Sequence, residues 1–219
     1  MPNRRDEMER RSYAFEIRSE RRDDGGFSLA GRPIVYGSET DIGGWFREII
    51  EPGALDGADL TDVPLLVNHN DRMIPVARSR RNTPNSTLRL LIVPEGLDIE
   101  ADLDVENNMT SRELGSAVER GDMDGMSFRF SVKDERWEDL ETDYPTRHIL
   151  KFDRIAEVSA VTWPAYEATE LYARSKEALE SARSALESAR QQTVPPEGGD
   201  TLELLKAKIE VLTEDIKNA

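Results

Sequence analysis

The chain has no cysteine and only two histidines among its 219 residues. The first absence excludes disulfides, thiolate-bound zinc and thiol nucleophiles. The second leaves His69 and His148 alone, too few for a histidine-rich metal centre. Positive charge is also scarce: 29 basic residues stand against 44 acidic ones, a net charge of −15. Such a chain repels phosphate backbones and anionic lipid, so neither nucleic acid nor a membrane surface is an expected partner. No apolar run approaches the ~20 residues that span a bilayer. The leading MPNRRDEMERR is charged and lacks an apolar stretch, so a secretory signal is not expected and an intracellular protein is. Hydrophobic residues make up 37% and charged residues 33%, which predicts that part of the chain lies outside the core.

What is present reads mostly as β-structure. Residues 1–12 form a charged, flexible arm. Tyr13, Phe15 and Ile17 alternate with polar residues as a half-buried strand does. Phe27 to Tyr36 is a further extended segment, with Pro33 marking an edge or a bulge. VPLLVNH (63–69) and Leu88 to Val93 read as strands, and Gly96 to Leu103 pairs with the latter as a hairpin through Pro94-Glu95-Gly96. Thr110-Ser-Arg-Glu113 has the spacing of a capping box, followed by a helix that stops at Gly121. Met126 to Val132 alternates, and Phe152 to Trp163 is apolar on both faces, hence central. The expectation is an α+β fold with about seven strands in a barrel-like core carrying helices.

Composition changes after Tyr172. ALESARS followed by ALESARQ is a near-exact heptad repeat, with Leu179, Ala182, Leu186 and Ala189 on one stripe. A Pro/Gly linker covers 194–199, and Leu202, Leu205, Ile209, Leu212 and Ile216 line one face of a last helix. Residues 175–219 are thus a helical tail, either folded back on itself or the domain, or used for oligomerisation or scaffold contact.

Three polar residues stand where the pattern asks for apolar ones. His69 ends an apolar strand, Ser127 opens MSFRFSV after a glycine turn, and Glu157 lies inside RIAEVSAVTWP. A carboxylate in a two-sided apolar strand is costly unless paired. A serine hydroxyl is a weak nucleophile until a base takes its proton, and an imidazole does that best near neutral pH. A carboxylate on the far ring nitrogen fixes the tautomer. Together they compose a serine-hydrolase set, although each also admits a structural reading, Glu157 as a partner of Arg78, Arg129 or Arg154. G-x-S-x-G is absent, which excludes a nucleophile elbow. Asp153 shares the parity of Glu157, and His148 reads as an exposed hairpin residue.

At these segments the chain resembles the HK97-type phage prohead (capsid maturation) protease family. The resemblance is carried by FSLAGRPIVYGSET, WFREIIEPGALDG, VPLLVNHND with RMIPVARS, GLDIEADLDVEN, SRELGSAVERGDMDGMSFRFSV and RIAEVSAVTWPAYEAT, in that order, from about Tyr13 to Ala173. It implies a serine endopeptidase domain over 13–174, with a β-barrel core wrapped by helices as in the herpesvirus assembly proteases. It carries the catalytic pair onto His69 and Ser127. For the third member Glu157 is preferred. His148 is the runner-up, because the herpesvirus relatives use a second His, and Asp153 is a third option. The family often has Gly where Arg129 stands; that side chain either helps hold an oxyanion or lines the cleft. No metal or cofactor is implied. The implied partners are the major capsid protein with its scaffold segment, and the protease itself, as autocleavage substrate and in a loose oligomer. The implied location is the host cytoplasm, inside the assembling prohead of a virus or prophage. The alternative is a non-catalytic capsid assembly or scaffolding module.

Overall fold

In the computed structural model, residues 8–13, 17–21, 26–162 and 176–193 are described. They form strands β1 (Glu9–Tyr13), β2 (Arg18–Arg21), β3 (Phe27–Val35), β4 (Glu39–Ile42), β5 (Phe46–Ile50), β6 (Asp62–Val67), β7 (Ala77–Arg80), β8 (Leu88–Val93) and β9 (Gly96–Leu103). Helix α1 (Met109–Glu119), strands β10 (Gly125–Glu138) and β11 (Thr146–Val161) and helix α2 (Lys176–Thr193) follow.

The strands make two sheets. One has seven strands in the order β1-β10-β11-β5-β4, with β6 joined to β11 and β7 to β6; the other has four, β2-β3-β9-β8. The expected barrel-like core of about seven strands is therefore corrected to two open sheets, with no closed barrel among the described residues. Of the expected wrapping helices, α1 lies against β2 and β9. Residues 9–12, expected within a flexible arm, pair as β1. The strand expected at Tyr13–Ile17 falls largely on residues 14–16, outside the described residues; β1 covers Glu9–Tyr13 and β2 Arg18–Arg21.

β11 is the spine. Its whole length pairs antiparallel with β10, while its other edge takes two parallel strands in series. β5 lies along Thr146–Ile149 and β6 along Val158–Ala160. Strands paired on both edges and packed on a core read as near-continuous apolar runs, which is what Phe152–Val161 looked like in sequence. Phe128, Phe130 and Phe152 meet beneath this sheet with ring centroids 4.9–6.0 Å apart. They share one core with Phe27, Leu29, Leu97 and Ile99 of the four-stranded sheet.

The local signals explain the connections. Pro33 falls where the β3–β9 register slips between Gly31 and Ile34, the bulge expected of a proline inside a strand. Gly96 closes the β8–β9 hairpin at φ 148, where an added Cβ would lie 1.9 Å from the Ile34 carbonyl oxygen. Helix α1 starts earlier than the capping box suggests. Asn108 is its N-cap, and its side chain accepts from the Thr110 and Ser111 amides. The helix ends as expected, with Gly121 at φ 72 donating to Val118 and Asp122 donating to Ala117, a Schellman motif.

The chain divides into two compact units, residues 1–184 and 185–219. Of the expected tail stripe, Ala182, Leu186 and Ala189 are buried on α2. The linker at 194–199 and the last expected helix lie outside the described residues. No described helix is long and apolar enough to cross a membrane.

Candidate active site

The site gathers where β6 runs out beside the end of β11. Asn68 and His69 follow β6 with φ of 50° and 57°. Two successive non-glycine residues in the left-handed region each cost on the order of 1 kcal/mol, so the neighbourhood must hold them. Asn68 is held by its amide, which donates to the Ala160 carbonyl at 2.9 Å. Its side chain is held too: Oδ1 accepts from the Thr162 amide at 3.1 Å, and Nδ2 donates to Thr162 Oγ1 at 3.2 Å. This turn brings His69 against β11.

There the imidazole Nδ1 lies 2.5 Å from Glu157 Oε1. An ionised carboxylate only accepts, so in this contact Nδ1 is the donor. Glu157 is buried, with 3% exposure. Its second oxygen accepts from Ser159 Oγ at 2.6 Å, and Ser159 Oγ in turn accepts from the His69 amide at 3.3 Å. One hydroxyl thereby ties the carboxylate to the backbone of the histidine it orients. Nothing in the sequence distinguishes Ser159 from any small residue in an apolar strand.

Ser127 stands opposite Ser159 in the β10–β11 register, and Arg129 stands opposite Glu157. Cross-strand partners share a face, so Ser127, Arg129, Glu157 and Ser159 project to one side, away from Phe128 and Val158. Arg129 Nε is 3.8 Å from Glu157 Oε1, and its Nη1 is 3.8 Å from Asp71 Oδ2. These are charge contacts longer than hydrogen bonds. Arg129 Nε and Nη2 make no hydrogen bond among the described residues. Ser127 is fully buried. Its Oγ donates to the Arg11 carbonyl at 2.8 Å, so its proton is engaged with β1 rather than with His69.

The other two acid or histidine options lie elsewhere. The register slips between Asp153 and Glu157. Arg129 pairs with Glu157 but Phe130 with Ile155, and Ser131 pairs with Arg154 but Val132 with Phe152, leaving Asp153 in a bulge. Its carboxylate takes a 3.5 Å hydrogen bond from Ser131. His148 is part of β11, opposite Arg136, and not an exposed hairpin residue. It sits ~30 Å along the strand from Glu157 at ~3.3 Å per residue. Its Nδ1 is 2.6 Å from Glu51 Oε1, and its Nε2 is 3.4 Å from Glu138 Oε2.

An open cleft of about 550 Å³ adjoins His69, lined among others by Asp71, Arg72, Met73, Ile74, Thr110 and Glu113. Met73 and Ile74 are 51% and 81% exposed, unusual for apolar side chains beside a polar cluster. No group of three or more His, Asp or Glu among the described residues is arranged to hold a metal ion.

A carboxylate-oriented imidazole, with a serine on the same face one strand beyond, is the side-chain set of a serine hydrolase. The chain belongs to the caudovirus prohead serine protease family, whose model matches residues 13–183. Among solved structures it is similar to the capsid assembly protease gp21 of bacteriophage T4. That likeness has 12% identity and a TM-score of 0.41, and it covers 71% of this chain and 99% of that one. No curated protein sequence matches this chain.

Proposed function

We propose that this chain is the endopeptidase that cleaves the scaffold segment of the major capsid protein, and itself, inside the assembling prohead in the host cytoplasm. Ser127 is the nucleophile, His69 the general base and Glu157 the carboxylate that orients it. The reading rests above all on the 2.5 Å contact between His69 Nδ1 and Glu157 Oε1. That contact assigns Nε2 as the base, and Ser127 shares the β10–β11 face that carries Glu157.

The reaction follows from the proton positions. Nε2 of His69 takes the Ser127 proton as Oγ attacks a peptide carbonyl carbon, and the ring becomes an imidazolium facing Glu157. The imidazolium returns that proton to the leaving amine, and an ester to Ser127 remains. A water then gives a proton to Nε2, attacks the ester and releases the carboxylate product with Ser127 restored. Ser159, bonded to both Glu157 and the His69 backbone, is a positioning residue. Arg129 lies near enough to offset the buried negative charge of Glu157. The exposed Met73 and Ile74 suit an apolar substrate side chain.

One observation favours the other reading, a non-catalytic assembly or scaffolding module: Ser127 is buried with its proton engaged. The two are separated by intact mass over time for the chain and for Ser127→Ala, each incubated with the cognate capsid protein. Fragments from the unmutated chain alone are expected. Binding without fragments from either chain favours the scaffold.

A further inference from the structure

Along the outer edge of β10, at the serine, runs the chain's own N-terminal strand. Glu9–Tyr13 pairs antiparallel with Phe130–Met126, and Ser12 stands opposite Ser127. We propose that β1 is a resident guard: it occupies the edge of β10 on which an extended peptide must lie to reach Ser127, and it must be displaced before the serine reacts. The inference rests on the reading of Ser127 as the nucleophile.

Three features carry it. First, an extended peptide joins a sheet by offering N–H and C=O groups to an open strand edge, and β1 already satisfies that edge. Second, the serine has one hydroxyl proton, and it points at the Arg11 carbonyl oxygen 2.8 Å away. While that bond persists the proton is not available to His69. Third, β1 has only five residues. A strand that short at a sheet edge is weakly held by its ladder alone.

Its hold comes from two buried side chains on the opposite face. Arg11 donates from Nε and Nη2 to the two oxygens of Glu48 at 2.5 and 2.7 Å. Glu9 accepts from both terminal nitrogens of Arg147 at 2.6 and 2.7 Å. The Arg11 guanidinium also lies 5.4 Å from the Phe130 ring centroid. Breaking a buried pair is normally prohibitive when one charge is left behind. Here the strand leaves with one carboxylate and one guanidinium together. Arg147 stays bonded to Glu48 at 3.0 Å and to Glu135 at 2.5 Å. When β1 goes it removes one charge of each sign, and Glu48 and Glu135 both keep Arg147 as a guanidinium partner.

The test is covalent labelling of Ser127 by a small alkyl fluorophosphonate, read by intact mass and peptide mapping. In labelling, the Ser127 oxygen bonds phosphorus, fluoride leaves and His69 takes the hydroxyl proton. The full chain is compared with full-length Glu9→Gln/Arg11→Gln, which removes both buried charges of the strand and the Arg11 guanidinium. Labelling at least about tenfold faster in the variant is expected, from a larger open population. Equal rates in two folded proteins overturn the guard and leave the nucleophile intact. No labelling of Ser127 in either overturns the nucleophile, and the guard with it. Should the variant not fold, hydrogen exchange on the labelled unmutated chain decides. Amides 9–13 should lose protection while Val158–Ala160 keep theirs. Labelled Ser127 beneath a still-protected β1 contradicts the guard.

Discussion

The two histidines of this chain stand at opposite ends of one face-to-face comparison. Each has a carboxylate on Nδ1: Glu157 at 2.5 Å from His69, and Glu51 at 2.6 Å from His148. The pairs are near copies in chemistry, yet their surroundings differ. His69 sits at a left-handed turn beside an open cleft, and two serines share the face of its carboxylate. His148 has Glu51 and Glu138 on its two nitrogens and a sheet position among charged neighbours. An imidazole–carboxylate pair is therefore not by itself a site. What sets the His69 pair apart is the open cleft beside it and the two serines on the face of its carboxylate.

Several experiments break or sharpen that contrast. Ser127→Ala is expected to lower kcat by ~10⁴-fold or more, as the loss of a nucleophile does, with the thermal midpoint little changed. Glu157→Gln should cost ~10³- to 10⁴-fold, because an amide can present the wrong donor to Nδ1. Glu51→Gln, the matching change at His148, should leave turnover within about twofold. Steady-state cleavage of the capsid protein compares all three.

The buried cluster beneath β1 adds a pH dependence. Burial pushes the Glu9 carboxyl up, but the guanidinium groups of Arg147 and Arg11 outweigh it and hold the carboxyl at about 2, against an ordinary 4.5. A depressed folded-state value means stability that is present above pH ~4.5 and lost as pH falls towards ~2. The contribution is on the order of 3 kcal/mol at most. Hydrogen exchange at residues 9–13 should rise across that window, and Glu9→Gln should flatten the rise.

Ser159→Ala removes one hydrogen bond to a charged oxygen and should cost ~10-fold in kcat with KM nearly unchanged. Its pH–rate profile should shift, a change that a merely structural role would not produce. The smallest effect is expected at the cleft. Met73→Ser or Ile74→Ser should raise KM a few-fold, since each removes apolar area that suits a substrate side chain.

How much of this was legible in the sequence depends on whether a residue broke a local pattern. His69, Ser127 and Glu157 were visible because each interrupts an apolar or alternating run. The hairpin at Pro94–Gly96 and the stop at Gly121 were visible because glycine and proline act locally. Ser159 was not, since a small residue suits any crowded strand. Strand β1 was hidden more deeply. ERRSY reads as a charged arm because the partners that bury its charges, Glu48 and Arg147, come from β5 and β11. The bulges of β11 near Asp153 had no mark in the sequence. The split into two sheets was likewise unreadable, because strand order depends on pairings between distant segments.

The most direct measurement sets the two histidines against each other: capsid-protein cleavage by His69→Ala and by His148→Ala, at equal protein concentration, followed by intact mass. The account predicts no fragments from His69→Ala over a time in which His148→Ala matches the unmutated chain. Cleavage surviving in His69→Ala while it disappears in His148→Ala would contradict it.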